Sequence, residues 1–214
     1  MINDMANRKI TPQRPKMERN TKKKAMGYGK KIEISNLSPE DEKILNSFGI
    51  KGKNCLSGLF SMELYSLSGV EKGIGMINTN YGYEFLNQDT KKQQFGLVKT
   101  GYVFIGVQGK KRTQDCCVFF DLKDYLSYLG INQNSPLSLP NGTDCFILCG
   151  ATNYFGLVVD TDEYENINVF MPNSVFGKSL VKTMQERNPD HIKNYDVFYG
   201  GYKTLYEYYN NIKN

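Results

Sequence analysis

The second half of the chain alternates short apolar runs with segments of helical periodicity. The apolar runs predict strands over 116–120, 145–149, 167–171 and 195–199. The helical spacing between and after these runs predicts helices over 121–129, 152–163, 175–187 and 202–212. Because strands that alternate with helices pair in parallel through right-handed crossovers, this order predicts an α/β fold. We expect a mostly parallel sheet with flanking helices.

The first half has a different pattern, in which short strands follow one another through Gly and Asn turns. One helix is predicted to begin near Ser38 and Pro39, a favourable capping pair, and to end at Gly49. Strands are predicted over 61–67, 73–78, 82–86 and 102–107. The expected parts of the chain are an arm over 1–34, a small α+β region with a β-meander over 35–112, and the α/β domain over 113–214.

Positive charge is concentrated near the N-terminus. Residues 1–31 contain ten Lys or Arg and two acidic residues, a net charge of +8, whereas the other residues contain 17 basic and 20 acidic groups, a net charge of −3. A segment of high charge and low apolar content is predicted to be disordered when alone. An alternative is a solubilising tail that binds no partner. We expect contacts with DNA or RNA phosphates from Arg8, Lys9, Arg14, Lys16, Arg19, Lys22, Lys23, Lys24, Lys30 and Lys31.

Composition excludes several classes of protein. The sequence has no apolar run long enough for a transmembrane helix, and its charged N-terminus does not resemble a secretory signal. The five cysteines are odd in number and lie mostly in apolar runs, which favours buried, reduced thiols. One histidine and no Cys-x2-Cys pair argue against structural zinc. We therefore expect a soluble cytoplasmic protein without a membrane partner.

Several segments, in order, resemble the Toprim family, the α/β module of bacterial primases and topoisomerases. The resemblance extends over 36–212 and is closest to primase-like proteins of bacterial mobile elements and phages. Its main segments are 73–87, 117–129, 167–178 and 202–208. Each match is short, and their order and spacing carry the resemblance. It implies a Toprim-like (Rossmann-like) fold, DNA replication or mobilisation as the setting, and replication or mobilisation proteins as partners.

The chain departs from the Toprim pattern at the residues that carry its chemistry. The family uses a Glu after one core strand and a DxD motif after a later one to hold Mg²⁺, a cation that prefers carboxylate oxygens. The matching positions here are Phe120 for the Glu, and Pro172 and Ser174 for the two Asp residues. None of these side chains is a carboxylate. The resemblance therefore implies a degenerate site, with no catalytic residues, metal or cofactor.

Other carboxylates leave an alternative open. Asp160 and Asp162 form a literal DxD after an apolar run, although the family register puts them at the end of a helix. Asp121 and Asp124 lie three residues apart at a predicted helix start, where Asp121 suits an N-cap. A relocated site built from these residues would bind Mg²⁺ and make the protein a nucleotidyltransferase or nuclease. A third possibility is a protein-interaction module that acts as a decoy or inhibitor.

Overall fold

The computed structural model describes residues 23–27, 30–50, 58–107, 113–131, 137, 139 and 143–212. The first sheet is antiparallel, and its six strands are neighbours in chain order. These strands are β1 (Lys23–Gly27), β2 (Lys30–Ser35), β3 (Phe60–Ser66), β4 (Gly69–Ile77), β5 (Tyr83–Asn87) and β6 (Gln93–Leu97). Helix α1 (Asp41–Ser47) lies between β2 and β3. The predicted helix is present, and three of the four predicted meander strands are present as β3, β4 and β5. The additional strands are β1, β2 and β6.

Strands β1 and β2 correct the predicted boundary of the basic arm. Both lie within residues 1–34, which the sequence assigned to a flexible segment. Ile32 and Ile34 are buried, and they alternate with Lys31 and Glu33 as a half-buried strand requires. This alternation is short and lies among lysines, so it was not recognised as a strand in the sequence. The part of the arm before Lys23 lies outside the described residues.

The second sheet has five strands in the spatial order β11-β10-β8-β9-β7. Strands β8 to β11 pair in parallel, whereas β7 pairs antiparallel with β9 at one edge. The strands are β7 (Val103–Ile105), β8 (Asp115–Phe119), β9 (Asp144–Ile147), β10 (Asn166–Phe170) and β11 (Ile192–Asn194). The helices are α2 (Leu122–Gly130), α3 (Tyr154–Thr161), α4 (Val175–Arg187) and α5 (Leu205–Ile212). The predicted α/β class is confirmed.

Two details of the prediction are wrong. The run 102–107 was assigned to the meander, but β7 lies in the second sheet, so this sheet includes residues from before the predicted boundary at 112 and 113. The run 195–199 was predicted to be a strand, but Asp196–Tyr199 is a 3-10 helix and β11 precedes it. Tyr199 is buried in the core and Tyr195 packs against it, whereas Phe198 is exposed.

The two faces of the second sheet are covered by different partners. On one face, α2 and α5 pack with Phe119 and Phe170, and Met76 and Leu86 of the first sheet join the same core. On the other face, α3 and α4 form a second core with side chains such as Val118. In the described part of the chain, no helix combines the length and apolar character needed to cross a bilayer.

Candidate functional site

The carboxyl edge of the second sheet contains a topological switch point. Strand β8 continues through α2 to β9 on one side, whereas β10 continues through α4 to β11 on the other. Strands β8 and β10 are neighbours, with Phe119 opposite Phe170 in the register. In open α/β sheets, ligands bind in the crevice at such a point. Phe120 directly follows β8, and Pro172 and Ser174 follow β10, so the structure brings together at this edge the three positions that the sequence resemblance singled out.

Phe120, which the resemblance matches to a Glu of the Toprim pattern, makes an aromatic contact. The Phe120 ring meets the Phe176 ring edge-on, with centroids 6.2 Å apart. Phe120 is half-buried and packs against the core formed by α3 and α4. Phe176 remains 41% exposed, and its neighbour Val175 is 90% exposed. This part of the edge is therefore apolar and partly open to solvent.

The loop after β10 uses its polar groups to build the fold. Ser174 caps α4, because its Oγ accepts a hydrogen bond from the Gly177 N–H at 3.0 Å. A Cβ at Gly177 would lie 2.1 Å from the Pro172 carbonyl oxygen, so only glycine permits this close approach. Asn173 is tied to the chain after β11. Its Nδ2 donates to the carbonyl oxygens of Tyr199 at 3.1 Å and Tyr202 at 3.0 Å.

Asp121 and Asp124 are capping residues with buried carboxyls. Asp121 caps α2 by accepting a hydrogen bond from the Asp124 N–H at 2.9 Å. Asp124 is 1% exposed and accepts from the Tyr206 N–H, in the first turn of α5, at 2.9 Å. Burial raises the pKa of both carboxyls, and the charge of Asp121 raises the pKa of Asp124 further. The pair therefore joins two helix N-termini. The sequence predicted the N-cap role of Asp121 but not the contact of Asp124 with α5.

Asp160 and Asp162 lie at the end of α3, which packs on the opposite face of the sheet from α2. The Asp160 carboxylate accepts a hydrogen bond from the Tyr102 hydroxyl. Asp162 pairs with Arg187, whose Nε lies 2.9 Å from its Oδ1, and this contact lowers the pKa of the Asp162 carboxyl. Each aspartate thus has its own partner. Within the described ranges, no group of three or more His, Cys, Asp or Glu residues is arranged to hold a metal ion.

Sequence reasoning missed a buried carboxyl beside this edge. Glu84 on β5 is completely buried, and burial raises its pKa to about 7. Its Oε1 accepts from Asn78 Nδ2 at 3.0 Å and from the Gly96 N–H at 3.1 Å. Its carboxyl also shares a hydrogen bond with the thiol of Cys149, which follows β9. The sequence signal that could have revealed it is that Glu84 is the one charged residue in the strand YEFLN.

The basic residues assigned to nucleic-acid binding are only partly described. Lys31 on β2 lies 2.7 Å from a carboxylate oxygen of Glu33, and its Nζ is 4.8 Å from the centroid of the Tyr65 ring. Lys23, Lys24 and Lys30 belong to the paired strands β1 and β2. The other six lie outside the described residues: Arg8, Lys9, Arg14, Lys16, Arg19 and Lys22.

Comparisons of the chain with protein-family models, curated proteins and solved structures find no match in any of the three.

Proposed function

We propose that this chain is a non-catalytic, Toprim-like protein that binds nucleic acid through its basic N-terminal segment. In this proposal it serves DNA replication or the mobilisation of a bacterial mobile element or phage, together with proteins of that process. One observation carries the proposal: the switch-point edge, where Toprim chemistry would take place, has Phe120, Pro172 and Ser174 in place of carboxylates.

The loss of catalysis is argued from the bonds these residues make. A magnesium site needs carboxylate oxygens directed into a shared, hydrated space. Here Phe120 contacts another aromatic ring, and Ser174 uses its Oγ to cap a helix. The nearest carboxylates in sequence, Asp121 and Asp124, accept backbone hydrogen bonds at helix starts. Recruiting them for a metal would remove two helix caps.

Nucleic-acid binding is argued from the distribution of charge. Residues 1–31 have a net charge of +8, and the rest of the chain has a net charge of −3. Lysine and arginine bind phosphates by releasing condensed counterions, which gives affinity without reading the base sequence. The basic segment is therefore expected to supply most of the affinity for DNA or RNA, with little preference for sequence.

The test compares the full-length protein with a variant in which the six basic residues before Lys23 are changed to Gln. If about five phosphates are contacted, a fourfold rise in salt should weaken binding of the unmodified protein roughly 500-fold. Each phosphate that the variant fails to neutralise should reduce the salt slope by about 0.9. The matched control changes six exposed lysines of the body to Gln: Lys43, Lys92, Lys178, Lys182, Lys193 and Lys203. Equal affinity of the six-Gln variant and the unmodified protein would reject the proposal.

The catalytic alternative is tested separately with Mg²⁺ and Mn²⁺. We expect no primer synthesis, no nicking and no rise in melting temperature when either metal is added, since a ligand specific for the native state would raise it. Asp121→Asn keeps a capping oxygen, and Asp160→Asn is its counterpart on α3. Metal-dependent turnover that disappears in either variant would establish a relocated site and overturn the non-catalytic reading.

Exposed apolar residues favour protein interaction as the second candidate function. Val175 at the start of α4 and Val197 in the 3-10 helix are 90% and 72% exposed. The Asn173 side chain bonds to the carbonyls at both ends of that 3-10 helix. An apolar surface of this kind suits a protein partner better than a phosphate backbone. If neutralising the six basic residues leaves nucleic-acid binding unchanged, this interpretation becomes the preferred one. Changing Val175 and Val197 to Ser should then abolish binding to the replication or mobilisation partner.

A further inference from the structure

A cavity of about 580 Å³ lies on the first sheet. One wall is the turn between β4 and β5, residues 79–81. The other is formed by Gly96 of β6 and by residues 98–100 of the connection to β7. We call it the Tyr81–Lys99 cavity. Its volume is in the range of small-molecule sites, which is roughly 300–1,000 Å³.

Both walls contain backbone in an unfavourable conformation. Tyr81 has a φ of 62° and Val98 a φ of 75°, in the left-handed region that favours glycine. Val98 is the more costly of the two, because its side chain is branched at Cβ. Such strain persists only where the surrounding structure fixes it, and it is concentrated at functional sites. The strain supports a functional role for the cavity, which the chemistry of its lining must then define.

Hydrogen bonds from Asn78, whose side chain is buried, and from Asn80 fix the two walls to each other. The Asn78 side chain donates to the Lys99 carbonyl at 2.8 Å and accepts from the Gly82 N–H at 2.8 Å. Asn80 Nδ2 donates to the Thr100 carbonyl at 2.7 Å. The buried Glu84 carboxyl accepts a hydrogen bond from the N–H of Gly96, which lines the cavity. The cavity is therefore pre-formed, and a ligand would bind without ordering either loop.

The lining combines an aromatic ring, an amine and hydroxyl groups. The Tyr81 side chain is 70% exposed, so its ring is open to stacking. Among the residues that the structure describes, no carboxylate forms an ion pair with the exposed Lys99 ammonium. Thr79 and Thr100 add hydroxyl groups. An aromatic face beside a cation is the combination by which proteins hold an unstacked base and its phosphate.

We propose that the Tyr81–Lys99 cavity binds one nucleotide, with the base against the Tyr81 ring and the phosphate at the Lys99 ammonium. The nucleotide comes either from a free nucleoside monophosphate or from a single strand, where the base is already unpaired. This inference rests on the proposed nucleic-acid function and extends it, because it makes the body of the protein contact a base. The basic segment then attracts the strand, and the cavity holds one of its units.

The test measures by calorimetry the affinity of the full-length protein for adenosine, AMP and a short single-stranded oligonucleotide. Tyr81→Asn removes the ring and keeps a residue that tolerates a positive φ, and Lys99→Gln removes the charge. Tyr81→Asn should weaken all three ligands by about 5-fold to 150-fold. Lys99→Gln should weaken AMP and the oligonucleotide but leave adenosine unchanged. Lys193→Gln, an exposed lysine on the second sheet, is the matched control and should change none of them.

Each result has a defined meaning. Oligonucleotide binding without AMP binding, still sensitive to Tyr81→Asn, would support the site and identify a strand as the source. No binding of any ligand at millimolar concentration would overturn the inference, as would equal binding by all variants with unchanged melting temperatures. The six-Gln variant separates the two proposals: it should lose affinity for duplex and oligonucleotide but keep its affinity for AMP. Tyr81→Asn should leave duplex binding unchanged.

Discussion

The buried carboxyl of Glu84 should make the stability of this protein decrease as the pH rises. Burial raises its pKa in the folded protein from an ordinary value of 4.5 to about 7. The folded state therefore holds the proton more tightly than the unfolded chain. The stabilisation is fully present below the unfolded pKa of 4.5, and it is lost as the pH rises towards the folded pKa of about 7. Above that value the loss is complete.

The size of this effect follows from the difference between the two pKa values. At about 1.36 kcal/mol for each unit of pKa, the difference corresponds to about 3 kcal/mol of unfolding free energy. Glu84→Gln has nearly the same shape and never ionises. Its amide oxygen can take the place of Oε1, which accepts hydrogen bonds from both Asn78 and Gly96. The variant should therefore match the unmodified protein near pH 4.5 and exceed its stability by up to about 3 kcal/mol near pH 8.

The measurement is urea unfolding monitored by circular dichroism, repeated at several pH values between about 4.5 and 8. Taking the difference between the two proteins cancels the titration of groups that do not interact with Glu84, such as Asp121 and Asp124. Glu186→Gln provides the control, since this side chain on α4 is 64% exposed and should leave the pH dependence unchanged. Parallel curves for Glu84→Gln and the unmodified protein, or a variant less stable near pH 8, would refute the reasoning.

The remaining predictions concern the loop after β10, and each is measured by urea unfolding. Ser174→Ala removes the cap of α4 and should cost about 1 kcal/mol, whereas Ser174→Asp should cost little. Asn173→Ala leaves backbone carbonyls without their amide donor and should cost about 1–3 kcal/mol, with a smaller loss contradicting that role. Gly177→Ala improves helix propensity by about 1 kcal/mol, but the contact with Pro172 should make it destabilising overall. A stabilised Gly177→Ala would show that the loop yields.

Local pattern predicted some elements well and failed where distant contacts decide the structure. Helix α4 occupies the predicted residues, because its capping serine and its apolar spacing are both local signals. The run 195–199 has the composition of a strand, yet the side chain of Asn173 holds its carbonyls in a turn. Strand β6, with the sequence QQFGL, was missed because it is polar and interrupted by glycine. Its pairing with β5 is what makes it a strand.

The candidate sites also differ in how far the sequence could predict them. The switch-point positions could be located from the sequence, since residues that follow parallel strands meet at one edge of the sheet. The Tyr81–Lys99 cavity could not, because its walls are joined by the side chain of Asn78, which bonds to a carbonyl 21 residues away. The burial of Glu84 was equally hidden. It depends on how the first sheet packs against the second, which no local pattern records.

The antiparallel strand β7 determines where a truncated fragment of this chain should begin. It protects the outer edge of β9, where Val103 pairs with Ile147 and the Phe104 ring lies 5.0 Å from that of Phe146. A fragment that begins at residue 113 would lose this cover and present unpaired N–H and C=O groups beside an apolar surface. Uncovered edges of this kind template strand addition between molecules and lead to aggregation. A fragment meant for crystallisation or labelling should therefore begin ahead of Tyr102.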